Sequence, residues 1–212
     1  MKKFTFLLSL NVCMISANAQ QTTKYNLAQL LKENKLETTP AQQTQLLDDP
    51  QKQAISTKGT IVWLKDINFK EGTIDIDLRG KDVFLRSFLG IAFHGVDTTT
   101  YDALYFRPFN FRHPDTLRRK WSVAYMSIPN HNYDALRKEH PLTYENAVTP
   151  VPKADEWFHA TIVIKDNWIT VYVNHSATAS LKVELFDDNK GSKIGLWDDW
   201  LSGDFANLTI TQ

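Results

Sequence analysis

The sequence predicts an all-β fold in which two antiparallel sheets stack as a β-sandwich behind a short helical lead-in. Three observations carry that expectation. Aromatic side chains make up 12% of the 212 residues, with six Trp, seven Tyr and twelve Phe, a composition suited to half-buried sheet surfaces on which rings pack across strands. From Gly59 onward the apolar residues recur with period two, the spacing that sends alternate side chains to opposite faces of a sheet. Turn-forming clusters punctuate the chain at Arg79-Gly80-Lys81, Lys165-Asp166-Asn167, Asn174-His175-Ser176 and Asp188-Asn189-Lys190-Gly191, as hairpins require.

In chain order, residues 1–19 read as an export leader. Lys2 and Lys3 make a basic start, Phe4 to Ile15 form an apolar run, and Ala17-Asn18-Ala19 supplies a small-residue cleavage site. The mature chain is then expected to begin at Gln20, in the periplasm or outside the cell. The apolar run is too short to span a bilayer. A lipid anchor on Cys13 is the alternative, but Val12 stands where a small residue is expected. From Gln20 to about Thr57 the chain is a polar lead-in, with Leu27, Leu30, Leu31 and Leu36 marking one short amphipathic helix before Pro40 interrupts it. The sandwich itself is expected over residues 58–212, with the lead-in adding a first strand.

Gly72 to Gly80 is the clearest strand, with Ile74, Ile76 and Leu78 on one face and Asp75, Asp77 and Arg79 on the other. Further runs fall at residues 60–64, 87–94, 102–106, 121–128, 157–164, 168–173, 181–185, 193–197 and 205–211. Ten or so short strands with hairpin punctuation indicate a sandwich. Two long connections interrupt them, Phe109 to Arg119 and Pro129 to Pro152, the second with a helical turn over Tyr133 to His140. Long loops over such a scaffold are where binding sites concentrate.

Composition excludes several functions. Lys plus Arg equals Asp plus Glu at 24 each, so there is no net field to draw in nucleic acid. Cys13 is the only cysteine, which leaves the processed chain without a disulfide, a thiolate metal site or a Cys nucleophile. His113, His131, His140, His159 and His175 lack the i, i+4 spacing that gathers zinc. No Gly-rich phosphate loop or nucleophile elbow is present.

The segments Gly72–Gly80, Phe88–Gly95, Tyr101–Arg112, Trp157–Ala160, Val171–Asn174, Ile194–Trp197 and Gly203–Leu208, in that order, resemble the concanavalin A-like lectin and glucanase superfamily. The nearest branch looks like the small exported laminin-G-like domains that include the 3-keto-disaccharide hydrolases. The resemblance covers roughly Gln53 to the C-terminus and implies a jelly-roll whose curved sheet presents a groove. It implies recognition of a carbohydrate partner there, with a 3-keto-disaccharide hydrolase or a laminin-G-type protein-interaction module as alternatives, because this fold hosts all three.

Strand parity suggests which residues face that groove. Leu89, Ile91 and Phe93 make one face of their strand and leave Gly90, Ala92 and His94 on the other; Leu104 and Phe106 oppose Ala103, Tyr105 and Arg107. With Tyr125 added and Asn110 and Arg112 on the rim, His94, Tyr105 and Arg107 have the rings and fixed donors that sugar binding uses. A structural role for Arg107 and Arg112, pinning loop carbonyls, fits the same pattern. Asp75 and Asp77 superficially resemble a glucanase acid pair, which must straddle a bond at about 5–5.5 Å with one raised pKa. Arg79 beside them favours a solvated strand face instead.

No cofactor is called for. Calcium is the one ion weighed, at Asp187, Asp188 and Asn189 or at Asp198, Asp199 and Asp204, and a hairpin turn accounts for the first group equally well. Trp197 and Trp200, flanking two carboxylates, read either as an exposed sugar platform or as sheet packing.

Overall fold

The structure, a computed structural model, describes residues 20–38, 43–49, 52–59, 61–186 and 191–212. The leader, Cys13 and the cleavage site lie outside these residues, as do Asp187, Asp188 and Asn189. The elements begin with β1 (Thr22–Tyr25), α1 (Leu27–Lys32), β2 (Leu36–Glu37), β3 (Gln43–Leu46), β4 (Ile55–Lys58), β5 (Ile61–Asn68), β6 (Gly72–Arg79), β7 (Ser87–Asp97) and β8 (Thr100–Phe106). A 3-10 turn at Pro108–Asn110 leads to α2 (Thr116–Arg119), β9 (Val123–Ile128), α3 (Tyr133–Glu139), β10 (Glu145–Asn146), β11 (Phe158–Lys165), β12 (Trp168–Val173), β13 (Leu181–Glu184), β14 (Lys193–Trp200) and β15 (Gly203–Thr211).

The strands form two antiparallel sheets. Among the described residues one has eight strands, in the order β13-β12-β11-β6-β15-β4-β3 with β1 also on β15, and the other has seven, in the order β10-β9-β8-β7-β14-β5-β2. The lead-in is woven into both: β2 joins the seven-stranded sheet, while β1, β3 and β4 extend the other. Because β1 lies along β15, Gln21 and Gln212 exchange backbone hydrogen bonds of 2.8 and 3.0 Å.

Period two decides what lies between the sheets. Ile74, Ile76 and Leu78 of β6 and Ala160, Ile162 and Ile164 of β11 meet Leu89, Ile91, Phe93, Leu104, Phe106, Ile194 and Leu196 from the facing sheet. Each large apolar side chain so buried contributes about 1.5–3 kcal/mol. Phe106, Phe111 and Phe158 close one region of this core edge to face, with centroids 5.0–6.5 Å apart. A second cluster lies on the opposite face of the seven-stranded sheet, where Trp63, Tyr101, Tyr105, Met126 and Trp197 are buried over Ala92, Ala103 and Ala124.

Candidate functional site

That opposite face is built row by row. Ala124, Tyr105, Gly90, Trp197 and Ile61 stand side by side across five strands. Gly90 sits between Tyr105 and Trp197, and a Cβ there would fall 2.0 Å from the Leu104 carbonyl oxygen. With no side chain between them the two rings approach to 5.0 Å and form an aromatic floor. Across the next row, Phe88 pairs with Asp199, and Trp200, 57% exposed, ends β14 with its ring under the Arg86 guanidinium.

The two long connections raise walls around this floor. One supplies Phe109, Asn110, Arg118 and Trp121; the other supplies Asn132, Tyr133 and Arg137. Together with the floor they enclose a cavity of about 370 Å³. Asn132 caps α3, its Oδ1 accepting from the backbone of Asp134 and Ala135, which holds Tyr133 and Arg137 at the start of the wall.

Beneath the walls runs a charged network. Arg107, only 5% exposed, donates through Nη1 to the Trp121 carbonyl (2.8 Å) and to Glu145 Oε2 (3.2 Å), and through Nη2 to the Tyr105 hydroxyl (2.6 Å). Arg137 grips the same carboxylate with Nε and Nη2 at 3.0 and 2.8 Å, a fork geometry that suits the planar guanidinium. Its Cζ also lies 4.2 Å from the Trp121 ring centroid. Both oxygens of Glu145 are therefore occupied by arginines.

Two polar groups of the lining residues have hydrogen-bonding capacity left over. Asn110 Nδ2 donates to the Trp121 carbonyl at 3.3 Å, while its Oδ1 accepts nothing among the described residues. The Tyr105 hydroxyl accepts from Arg107, and its own proton has no acceptor among them. Burial pushes the Tyr105 pKa up, so that proton stays on oxygen. Asp199 is the one carboxylate among the described lining residues, and burial raises its pKa.

Of the six residues expected around the groove, Tyr105, Arg107 and Asn110 meet in this cavity. His94 and Tyr125 do not share its floor. Tyr125 pairs with Leu104 and so points between the sheets, where it is 1% exposed; it belongs to the parity opposite to Ala124 and Met126. His94 has a φ of 50° and sits where the β7–β8 register shifts between Phe93 and Asp97, and such a bulge reverses the side to which a residue points. Its Nδ1 meets Asp102 Oδ2 at 2.8 Å and its Nε2 the Lys70 carbonyl at 2.7 Å, while the Tyr125 hydroxyl donates to Asp102 Oδ1 at 3.0 Å. Burial pulls the His94 pKa down, but these two acceptors more than offset it and leave it raised. Arg112 lies beyond Phe109 and donates to the carbonyls of Pro152 and Val151, fastening the second insertion.

Asp75 and Asp77 face solvent on the other sheet, where both hold His159: Asp77 Oδ1 is 2.8 Å from Nδ1 and Asp75 Oδ1 is 3.2 Å from Nε2. Asp198, Asp199 and Asp204 diverge. Asp198 turns inward to Thr57 and Gly59, Asp199 lines the cavity, and Asp204 pairs with Arg79 and Lys81. Among the described residues no group of three His, Cys, Asp or Glu is placed to hold a metal ion.

No family model matches the sequence, and no curated protein is similar to it in sequence. Solved structures are similar in fold. A glycosyl hydrolase candidate from Parabacteroides distasonis superposes with a TM-score of 0.54 at 13% identity, over 84% of this chain and 93% of that one. The carbohydrate-binding module CBM66 from Bacillus subtilis gives 0.53 at 11% identity, over 80% and 94%. A Bacillus subtilis protein of unknown function with a galectin-like fold gives 0.50 at 12%, over 81% and 89%. At these identities the likeness establishes the fold, a galectin-like sandwich of two antiparallel sheets.

Proposed function

We propose that this protein is an exported carbohydrate-recognition domain that binds a glycan in the cavity on the outer face of the seven-stranded sheet. The observation that carries the reading is the pairing of an aromatic floor with an unmet donor and an unmet acceptor, the Tyr105 hydroxyl and Asn110 Oδ1. A buried polar atom without a partner costs about 1–3 kcal/mol, a debt that a ligand bearing both hydroxyl donors and hydroxyl acceptors removes. Sugars are such ligands, and their C–H faces lie on exposed planar rings. The exposed Trp200 extends the platform to the rim. The fold shared with a module named for carbohydrate binding supports the reading.

Cleavage is less well supplied: a 3-keto sugar needs a free base beside the acidified C–H, and His94, the histidine expected in the groove, lies outside the cavity with both ring nitrogens bonded. Two-carboxylate glycoside cleavage needs a second free acid, and Glu145 has both oxygens engaged by Arg107 and Arg137. A glycan panel tests the proposal: binding is expected to fall about tenfold in Trp200→Ala with the fold intact. Failure of every glycan to bind would overturn it. Export is tested separately by the mass of the secreted chain, expected to begin at Gln20; retention of residues 1–19 would count against the leader.

A further inference from the structure

The geometry points to a carboxylate-bearing saccharide, a uronic acid residue, as the ligand of this cavity, with Arg118 and the free edge of Arg137 as the groups that select it. This inference rests on the carbohydrate reading above and adds the charge of the sugar to it.

Charge in and around the cavity is unequal. Arg107, Arg118 and Arg137 line it, against Asp199 as the lining carboxylate. Behind the wall, Glu145 is shared by Arg107 and Arg137, so one acid serves two guanidiniums. Outside the rim, Asp115 reaches Arg118 only at 3.9 Å and is half exposed, which makes it a weak, solvent-screened partner.

The guanidiniums differ in what they have left to give. Arg107 spends Nη1 and Nη2 on Trp121, Glu145 and Tyr105. Arg137 spends Nε and Nη2 on Glu145, leaving Nη1 without an acceptor among the described residues. Arg118 makes no guanidinium hydrogen bond among them. Its Cζ lies 4.7 Å from the Phe84 ring centroid and 5.8 Å from that of Trp121, so aromatic contacts hold its plane while its N–H groups remain unspent. Arg118 and Arg137 both approach Trp121, which places two arginines with free donors beside one cavity wall.

A fixed guanidinium edge matches a carboxylate in shape as well as in sign, since two coplanar N–H groups meet two coplanar oxygens. Neutral sugars satisfy Tyr105 and Asn110 equally well but leave the Arg118 donors facing hydroxyls alone. The carboxyl group thus distinguishes the expected ligand from its neutral relatives.

The test is calorimetric titration of the folded protein with oligosaccharides of galacturonate, glucuronate, mannuronate and guluronate, each beside its methyl ester, together with a neutral glycan panel. The ester keeps the sugar skeleton and removes the charge. At least one acid is expected to bind about tenfold or more tightly than its ester, the scale of a charge-assisted hydrogen bond, and to weaken as salt rises. Arg118→Gln is expected to remove most of the acid's advantage over the ester, the free edge of Arg137 keeping the rest, with circular dichroism and unfolding unchanged because the side chain is a third exposed; Arg118→Lys is expected to retain more of the preference. Equal affinity of acid and ester, or binding by neutral glycans alone, overturns the uronate assignment and leaves carbohydrate recognition standing. Failure of every acid, ester and neutral glycan overturns both.

Discussion

Glu145→Gln puts the buried charge network to a quantitative test. In the native protein one carboxylate accepts from two guanidiniums, that of Arg137 in bidentate fashion and that of Arg107 at 3.2 Å. The amide keeps the volume but removes the negative charge, and it presents an NH2 group to donors that need an acceptor. Breaking a buried ion pair by deleting one partner costs about 3–5 kcal/mol because the other charge stays uncompensated. Arg107 is nearly excluded from water, whereas the Arg137 side chain is a third exposed and recovers part of its solvation. The low end, about 3 kcal/mol, is therefore expected, which lowers Tm by about 6–12 °C for a domain of this size. Urea unfolding of wild type, Glu145→Gln, Arg107→Gln and the double variant measures it, with the second substitution expected to cost less once the first is present. A loss below about 1 kcal/mol, or strict additivity, would refute the view that the network is water-excluded and coupled.

Three further outcomes follow from titrating groups. His159 has carboxylates on both ring nitrogens; the Asp77 bond is the larger cause, and its pKa is raised. A raised histidine pKa contributes stability that is complete below about 6.5 and is lost as pH climbs through the folded value. The stability gap between wild type and His159→Asn should thus be about 1 kcal/mol wider at pH 5.5 than at pH 8.5, and a gap independent of pH would refute the pairing. On the acid side, burial works to raise Asp77, yet His159, Lys52 and Asn207 together hold it well below the usual carboxylate range; its share is lost as pH falls below about 4. Asp198 behaves in the opposite sense, pushed up to about 7 by burial although Thr57 and Gly59 donate to it. A raised acid favours the folded state only while protonated, so wild type loses stability as pH rises from about 4 through that value. Asp198→Asn is therefore expected to raise Tm at pH 8 and to change it little at pH 5; destabilisation at pH 8 would sink the assignment.

Much of the fold is legible because period two holds wherever a strand has a dry face and a wet one. Ile74, Ile76 and Leu78 announce β6, and they lie inward as their spacing requires. That Tyr105 of β8 and Arg107 just past its end share one side, and both line the cavity, is legible for the same reason. Parity fails where the ladder is irregular, and the β7 bulge that turns His94 toward Asp102 leaves no mark in the alternation of apolar residues. Tyr125 shows a different limit: a Tyr at an inward position looks polar in sequence, and only the position of Asp102 on the neighbouring strand explains how its hydroxyl is satisfied. Arg118, Trp121, Tyr133 and Arg137 lie in or beside the two long connections, where no periodicity ties a residue to a face. The signal available for them was compositional, arginines and aromatics concentrated in segments that short turns would have replaced. The run at residues 157–164 puts His159 in a strand, but its grip on Asp75 and Asp77 depends on the β6–β11 register, which sequence spacing alone does not fix.

The ladder between β1 and β15 brings residues 21 and 212 side by side on the eight-stranded sheet, whereas the cavity opens from the other sheet, away from that seam. A circular permutant that bridges this gap with a few glycines and is cut at the exposed hairpin tip around His175 retains every strand lining the cavity. By the same geometry, a tag fused after Gln212 tethers the molecule to a sensor chip by its back, leaving the aromatic floor turned toward the flowing sample.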